Sequence, residues 1–480
     1  MDINGSTRTI GLIGNPVEHT LSPVIHNGLS EAMGISSVYV PWKVEADGLE
    51  DAIHGAYELN ILGMNVTVPH KNAVMEYLAD IDDAARNIGS VNTLVRDDGK
   101  HGYIGYNTDM PGLRRQIHED GISLSGKTVV ILGAGGASKA VVYMCLIEGA
   151  GKIYLVNRTI GKAGKIAEDM NRLVKSGALL QSEQHSFLNE TNKGVYTEYD
   201  RVVPISLSEY NTISENDLIV FQATSIGLFP NVNDVVIDDP SFYEKIDTGI
   251  DLIYNPAETM FMKLVKAHGG IAYNALKMLL YQGVIAYELW HNVKVPDEIV
   301  EDMYVELKRQ VYKKDNIVLI GFMGSGKTTF GKELAKVRHM DFVDTDEFIE
   351  ARAGMSIAEI FAVKGEDEFR RIETETLKEL RNQLSNTVLS TGGGMPLRRE
   401  NALLLKDIGK VLYLNAATQV IYDRVKDDTG RPLLQGTNPY DKICTMMKER
   451  RPLYERACDI IVDANSNDLD EALYNIQKVI

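Results

Sequence analysis

Short apolar runs recur along the chain, each breaking off near glycine, asparagine or aspartate and giving way to a helical spacing: TVVILGAGG, KIYLVNR, DLIVFQATSIG, TGIDLIYNP, NIVLIGFMG, TVLSTGGG and KVLYLN. Such runs read as buried strands, and their alternation with helices predicts parallel α/β sheets whose ligand sites lie beyond the strand C-terminal ends. DEIVEDMYVELKRQVYKK, 297–314, predicts an amphipathic helix just before a fresh strand at Ile317, and the largest boundary is placed near Lys313. The polar, weakly periodic stretch 179–202 predicts a long surface excursion. No repeat and no Gly/Ser-rich or Pro-rich tether interrupts the pattern.

The 480 residues suggest about three domains at roughly 150 residues each. A formal charge of -17 speaks against nucleic-acid or anionic-membrane partners, which need a basic surface. The charge is unevenly spread: net -2 from Lys313 onward and net -15 over 1–312. Three cysteines without a CxxC pair encode neither a disulfide framework nor a zinc site, and 1–30 lacks a basic start followed by an apolar core. No run reaches about 18 apolar residues. A cytoplasmic protein acting on small molecules is expected, with the oligomeric state open between monomer and dimer.

Gly321-Phe-Met-Gly324-Ser325-Gly326-Lys327-Thr328 matches GxxxxGK[ST] between the strand NIVLI and the helical pattern TTFGKELAKV. In that context backbone N–H groups converge on phosphate oxygens, the lysine reaches the β and γ phosphates, and the threonine hydroxyl serves Mg²⁺. No NKxD base-reading motif of a GTPase is present. Asp344-Thr-Asp346 follows HMDFVD, then Glu368-Phe-Arg370-Arg371-Ile-Glu373, Thr391-Gly-Gly393-Gly394, Arg424, Arg431-Pro-Leu-Leu and Arg450-Arg-Pro-Leu-Tyr. Together these loci resemble shikimate kinase over 313–480. The resemblance implies ATP held by Gly324, Ser325, Gly326, Lys327, Thr328 and Thr329 and Mg²⁺ by Thr328 and Asp344. It implies shikimate held by Asp346, Arg370, Gly393, Gly394 and Arg450, with Arg424 and Arg431 on a lid over the nucleotide. Lys327, Asp346 and Arg431 then form the catalytic set: arginine forks suit a carboxylate, Asp346 polarises the attacking hydroxyl, and Arg431 stabilises charge on the transferring phosphoryl.

KTVVILGAGGASKAVVYMCLIEGAGKIYLVNR reads strand, glycine turn, helix, strand, with Gly133-x-Gly135-x-x-Ser138 carrying serine where a third glycine is usual. The second strand ends in Asn157-Arg158-Thr159 with Lys162 nearby rather than in the acidic residue that accepts from a ribose 2′-hydroxyl. That favours the 2′-phosphate of NADP(H).

The loop Thr20-Leu-Ser22-Pro, Asn65-Val-Thr67-Val-Pro-His-Lys71, Gly89-Ser-Val-Asn92, Thr108-Asp109, Ala223-Thr224-Ser-Ile-Gly227, Asp251-Leu-Ile-Tyr254-Asn-Pro and Met278-Leu-Leu-Tyr-Gln282 join the glycine turn in one order. They resemble shikimate dehydrogenase over 8 to about 290. The resemblance implies substrate contacts from Thr20, Ser22, Thr67, Asn92, Tyr254 and Gln282, and a catalytic pair of Lys71 and Asp109. It implies NADP contacts from Gly133, Gly135, Gly136, Ala137, Asn157, Arg158, Thr159, Lys162, Thr224 and Met278. Reducing a ketone leaves a developing alkoxide, which a lysine can stabilise and protonate while a carboxylate orients it. His19 and His26 sit in the loop region as structural groups. Departures from the family stand at Thr20, Gln222, Ala275 and Lys277.

The implied fold is α/β throughout: a substrate domain of 1–108 and 275–312, a Rossmann domain of 109–274, and a P-loop, nucleoside-monophosphate-kinase-like parallel α/β/α domain of 313–480. The implied chemistry is reduction of 3-dehydroshikimate by NADPH and phosphorylation of the resulting 3-hydroxyl by Mg-ATP, at independent sites. Two rivals remain: an NAD-using quinate/shikimate dehydrogenase fused to the kinase, and an inactive dehydrogenase-like module that regulates it.

Overall fold

The computed structural model describes residues 3–177, 179, 200–312, 314–426 and 438–466. Arg431, Lys313 and most of the stretch 179–202 lie outside them. The chain divides into two units, one ending at Leu307 and the other beginning at Lys308.

The first unit is built on two six-stranded sheets. One has the order Ser37–Lys43, Arg8–Gly14, Gly63–Val66, Thr93–Asp97, Gly102–Tyr106, Asp80–Ile81. It is mixed, not wholly parallel, because Thr93–Asp97 runs antiparallel to both its neighbours. The pairing with Gly102–Tyr106 has a local reason: a tight turn, closed by Lys100 N–H on Asp97 Oδ1 at 2.8 Å, joins the two strands. A connection this short permits only an antiparallel hairpin. The other sheet is entirely parallel, in the order Ile271–Asn274, Ile246–Asp251, Leu218–Gln222, Thr128–Leu132, Lys152–Asn157, Val202–Ser206. Its central strands are buried on both faces, as their unbroken Val/Ile/Leu runs require.

Two helices connect the sheets. Asp109–Glu119 leaves the first sheet, and Leu276–His291 returns to it, where Trp290 Nε1 donates to Leu94 O at 2.8 Å. The helices touch at Gly112, where a Cβ would stand 2.8 Å from the backbone nitrogen of Gln282. Only hydrogen fits there. The amphipathic spacing of 297–314 forms the helix Asp297–Tyr312.

The second unit holds a five-stranded parallel sheet in the order Asp341–Asp344, Thr387–Ser390, Ile317–Ile320, Lys410–Asn415, Ile460–Asp463. Its core gathers Val318, Leu319, Leu334, Leu377, Leu389, Leu412 and Ile443. Ile317–Ile320, Asp341–Asp344 and Thr387–Ser390 each end in a segment the sequence marks as functional: the loop at 321, Asp344 and the glycines at 392–394.

Candidate active sites

In the first unit a cavity of about 350 Å³ is lined by Thr20, Ser22, Asn65, Thr67, Lys71, Asn92, Asp109, Tyr254, Met278 and Gln282 among others. The seven polar residues expected to meet substrate, Asp109 among them, therefore face one space with Lys71. Lys71 Nζ donates to Asp109 Oδ2 at 2.6 Å, with the lysine 28% and the aspartate 16% exposed. Asp109 opens its helix, where the backbone dipole favours a negative charge. Asn92 is fixed by its Oδ1, which accepts from Thr108 N–H at 2.7 Å. Thr20 Oγ donates to Ser22 Oγ at 3.1 Å, so the threonine departure keeps the hydroxyl pair. Burial pushes the Tyr254 phenol above its usual range.

Asn65 also lines the cavity and was not assigned a role from sequence. Its Oδ1 accepts from Tyr39 and its Nδ2 donates to Thr93 Oγ, at 2.8 and 3.2 Å. Its place one residue from the end of the strand Gly63–Val66 was the available signal. His26 does not line the cavity; it is fully buried and stacked on Tyr39.

The glycine turn follows Thr128–Leu132. Gly133 has φ +110, and a Cβ there would lie 2.8 Å from Thr224 Cγ2 and 2.9 Å from Ala223 O. Ser138 replaces the third glycine with a purpose: its buried Oγ accepts from Gly135 N–H at 3.1 Å, capping the helix Gly136–Ile147. Gly135, Gly136 and Ala137 are exposed at that N-terminus. Asn157 ends Lys152–Asn157 and donates to Thr159 O at 2.9 Å, while Arg158, Thr159 and Lys162 are exposed. An open helix N-terminus and two cations at the second strand's end fit a dinucleotide with an extra phosphate.

Gln222, one of the departures, is 1% exposed and fully engaged. Its Oε1 accepts from Thr224 N–H and Oγ at 2.6 and 2.7 Å, and its Nε2 donates to Ile226 O at 2.9 Å and to Asp251 Oδ1 at 3.3 Å. Asp251 in turn accepts from Ile253 N–H at 2.9 Å and Thr259 Oγ at 2.6 Å. Burial pushes its carboxyl up to about 6. One buried pair thus shapes both the Thr224 turn and the approach to Tyr254.

In the second unit a cavity of about 530 Å³ is lined by Gly324, Gly326, Lys327, Thr328, Thr329, Asp344, Asp346, Gly393 and Arg424 among others. Lys327 Nζ donates to the carbonyls of Gly321 and Phe322 at 2.9 and 3.0 Å. Thr328 Oγ donates to Asp344 Oδ2 at 2.8 Å, a hydroxyl and a carboxylate of the hard-oxygen type that Mg²⁺ takes. Ser325 Oγ and Asp346 Oδ1 are buried without a hydrogen-bond partner. Burial, then the neighbouring Asp344, pushes the Asp346 carboxyl up to about 6. That oxygen packs against Gly392, where a Cβ would stand 2.7 Å from it, and the residue itself lines the cavity.

Arg370, Gly394, Arg450 and Ser325 do not line this cavity. Arg370 lies against Gly394, where a Cβ would stand 2.4 Å from its guanidinium, and it pairs with Glu373 at 2.8 Å. Glu373 is 1% exposed, and burial pushes its carboxyl up to about 7. Arg450 sits over the Phe322 ring at 5.7 Å, beside the phosphate loop. Arg424 donates to Ser466 O at 2.9 Å. Arg431 lies outside the described residues.

Known proteins match both parts of the chain. Family models described as shikimate dehydrogenase substrate binding domain, shikimate/quinate 5-dehydrogenase and shikimate 5′-dehydrogenase C-terminal domain match 12–94, 113–193 and 276–302. The model described as shikimate kinase matches 323–480. The shikimate dehydrogenase (NADP(+)) of Desulforamulus reducens is 37% identical over 316 residues, 65% of this chain and 98% of its own. A crystal structure of shikimate dehydrogenase in complex with NADP+ matches with a TM-score of 0.54 at 34% identity, covering 65% of this chain and 98% of its own. A Thermus thermophilus enzyme in complex with NADP(H) and shikimate matches with a TM-score of 0.51 at 26% identity, covering 63% and 100%. With nearly the whole length of such enzymes laid over its first two thirds, and the kinase family over the remainder, the chain belongs to the shikimate dehydrogenases and carries a shikimate kinase domain behind them.

Proposed function

We propose that this is a bifunctional enzyme of aromatic biosynthesis: it reduces 3-dehydroshikimate to shikimate with NADPH and phosphorylates the shikimate 3-hydroxyl with Mg-ATP. The observation that carries the first step is the Lys71–Asp109 pair at 2.6 Å, set in a cavity with several hydroxyl and amide groups. The nicotinamide supplies the hydride. Lys71 stabilises the alkoxide oxygen as it forms and gives it a proton, and Asp109 holds Lys71 in place and binds a substrate hydroxyl. Thr20 and Ser22 hold the substrate's carboxylate end; Thr67, Asn92, Tyr254 and Gln282 fix its ring. Gly133, Gly135, Gly136 and Ala137 take the pyrophosphate, and Asn157, Arg158, Thr159 and Lys162 the adenosine 2′-phosphate. Thr224 and Met278 border the nicotinamide.

For the second step, Gly324 to Thr329 hold the ATP phosphates, and Thr328 with Asp344 holds Mg²⁺, which neutralises phosphate charge. Asp346 receives the 3-hydroxyl and polarises it. Arg370 and Arg450 grip the carboxylate beside Gly393 and Gly394, while Lys327, Arg424 and Arg431 stabilise the transferring phosphoryl. The same reading assigns 1–108 with 275–312 to the substrate half, 109–274 to the cofactor half and 313–480 to the kinase. It places the protein in the cytoplasm, in keeping with the free thiols of Cys145, Cys444 and Cys458. Among the described residues no helix is long and apolar enough to cross a membrane.

One coupled assay tests both steps. With 3-dehydroshikimate, NADPH absorbance falls; added Mg-ATP then yields ADP in proportion to the shikimate formed. Oxidation of NADH in preference to NADPH, or ADP release without the first step, overturns the reading.

A further inference from the structure

Gln116 follows Asp109 by about two helical turns, is 2% exposed and has both ends of its amide engaged. Its Nε2 donates to Asn274 O at 2.7 Å and its Oε1 accepts from Met278 N–H at 2.9 Å. These partners flank Ala275, and Ala275 and Met278 both line the dehydrogenase cavity. Gln116 also sits on the helix that begins with Asp109. The contacts Gly112 on Gln282, Gln116 on Met278, and Asp120 on Lys277 at 2.6 Å step in opposite directions along the two sequences. The helices Asp109–Glu119 and Leu276–His291 are therefore locked antiparallel in one register. Lys277 adds a second ion pair to Glu119 at 3.1 Å.

We infer that Gln116 is a positioning residue for hydride transfer: by gripping the chain at Asn274 and Met278 it sets the distance between the cofactor side of the cavity and the substrate held at Asp109. The inference rests on the dehydrogenase reading above. Its physical basis is leverage. A helix advances about 1.5 Å per residue, and a misplacement of about 1 Å between reacting groups can cost roughly a hundredfold in rate. Met278 N–H belongs to the first helical turn, where no intrahelical acceptor exists. Gln116 Oε1 supplies that acceptor from the partner helix. Lys277, which departs from the family, closes the same junction from its outer end.

The test uses the full chain with Gln116→Met, which keeps length and burial but removes the hydrogen bonds to Asn274, Met278 and Asp120, and with Lys277→Met. Kinase turnover on the same sample counts intact chain. Turnover and the primary isotope effect are measured with NADPH deuterated at the transferred position. The expected result for Gln116→Met is a fall in kcat of about tenfold or more, little change in KM for NADPH, and a larger isotope effect because hydride transfer becomes slower than the surrounding steps. Lys277→Met moves the same way by less. A merely structural role lowers the active fraction and leaves the isotope effect untouched; that result overturns the inference. If Gln116→Met does not fold, Lys277→Met decides alone, and an unaltered isotope effect overturns it equally. A wild-type chain that fails to oxidise NADPH with 3-dehydroshikimate overturns the dehydrogenase reading and this inference with it.

Discussion

Replacing His26 by phenylalanine isolates one source of acid sensitivity in the dehydrogenase unit. The ring is fully buried, stacked on Tyr39 at 4.3 Å and tilted against Trp290 at 5.0 Å, and neither nitrogen has a hydrogen-bond partner. Burial lowers its pKa to about 3. The unfolded chain takes the proton first, at about pH 6.5, so stability is complete above that value and is lost as pH falls toward the folded value. At about pH 5 the unfolded state is favoured by about 2 kcal/mol through this group alone. His291, which burial lowers to about 4, adds loss in the same sense and remains in the variant. Both tryptophans of the chain, Trp42 and Trp290, lie in the first unit, so their fluorescence follows its unfolding without signal from the kinase. Urea unfolding at about pH 7.5 and about pH 5 should show His26→Phe losing about 2 kcal/mol less than wild type between them. Equal losses in the two proteins would refute the assignment. NADPH oxidation at neutral pH should survive, since the ring lies outside the cavity.

Three further outcomes follow from the site geometry. Lys71→Ala should lower dehydrogenase kcat by about a hundredfold or more with kinase turnover unchanged, and near-normal reduction rates would remove Lys71 from the chemistry. Arg158→Asp should shift the NADPH/NADH ratio of kcat/KM toward NADH; an unchanged ratio means another group reads the 2′-phosphate. Gln222→Leu strips partners from Thr224, Ile226 and Asp251, at about 1–3 kcal/mol for each buried polar group left unpaired. It should raise KM for NADPH more than it lowers kcat, and a KM equal to wild type would show that the Thr224 turn holds its shape unaided.

The two glycine turns were legible because their function is carried by backbone geometry that few other residues allow: Gly133 and Gly326, with φ of +110 and +94, need their glycines in any setting. Strands that end in such turns were equally plain. The antiparallel pairing of Thr93–Asp97 was not, since apolar alternation says nothing about strand direction. Lys71 and Asp109, 38 residues apart, meet only through the fold; a family likeness, not spacing, brought them together. Gln116 escaped, and Gln222, Asp251 and Asn65 stood in the motifs or among the departures without a role, for a related reason. A buried amide or carboxylate acts through partners that are remote in the chain, and its sequence neighbourhood looks like any polar position. Departures at 222, 275 and 277 were the useful clue, and they cluster at two places where the structure shows close contacts.

The absent side chain at Gly112 bears on how this enzyme can change. Even one methyl group there meets the backbone of the opposing helix at 2.8 Å, and backbone cannot step aside as a side chain can. In a library of variants the position should behave as a dead end. Any lineage that altered Gly112 would first have to move Gln282, and with it a wall of the substrate cavity. New substrates are therefore more accessible through the cavity residues Thr20 and Ser22 than through this crossing.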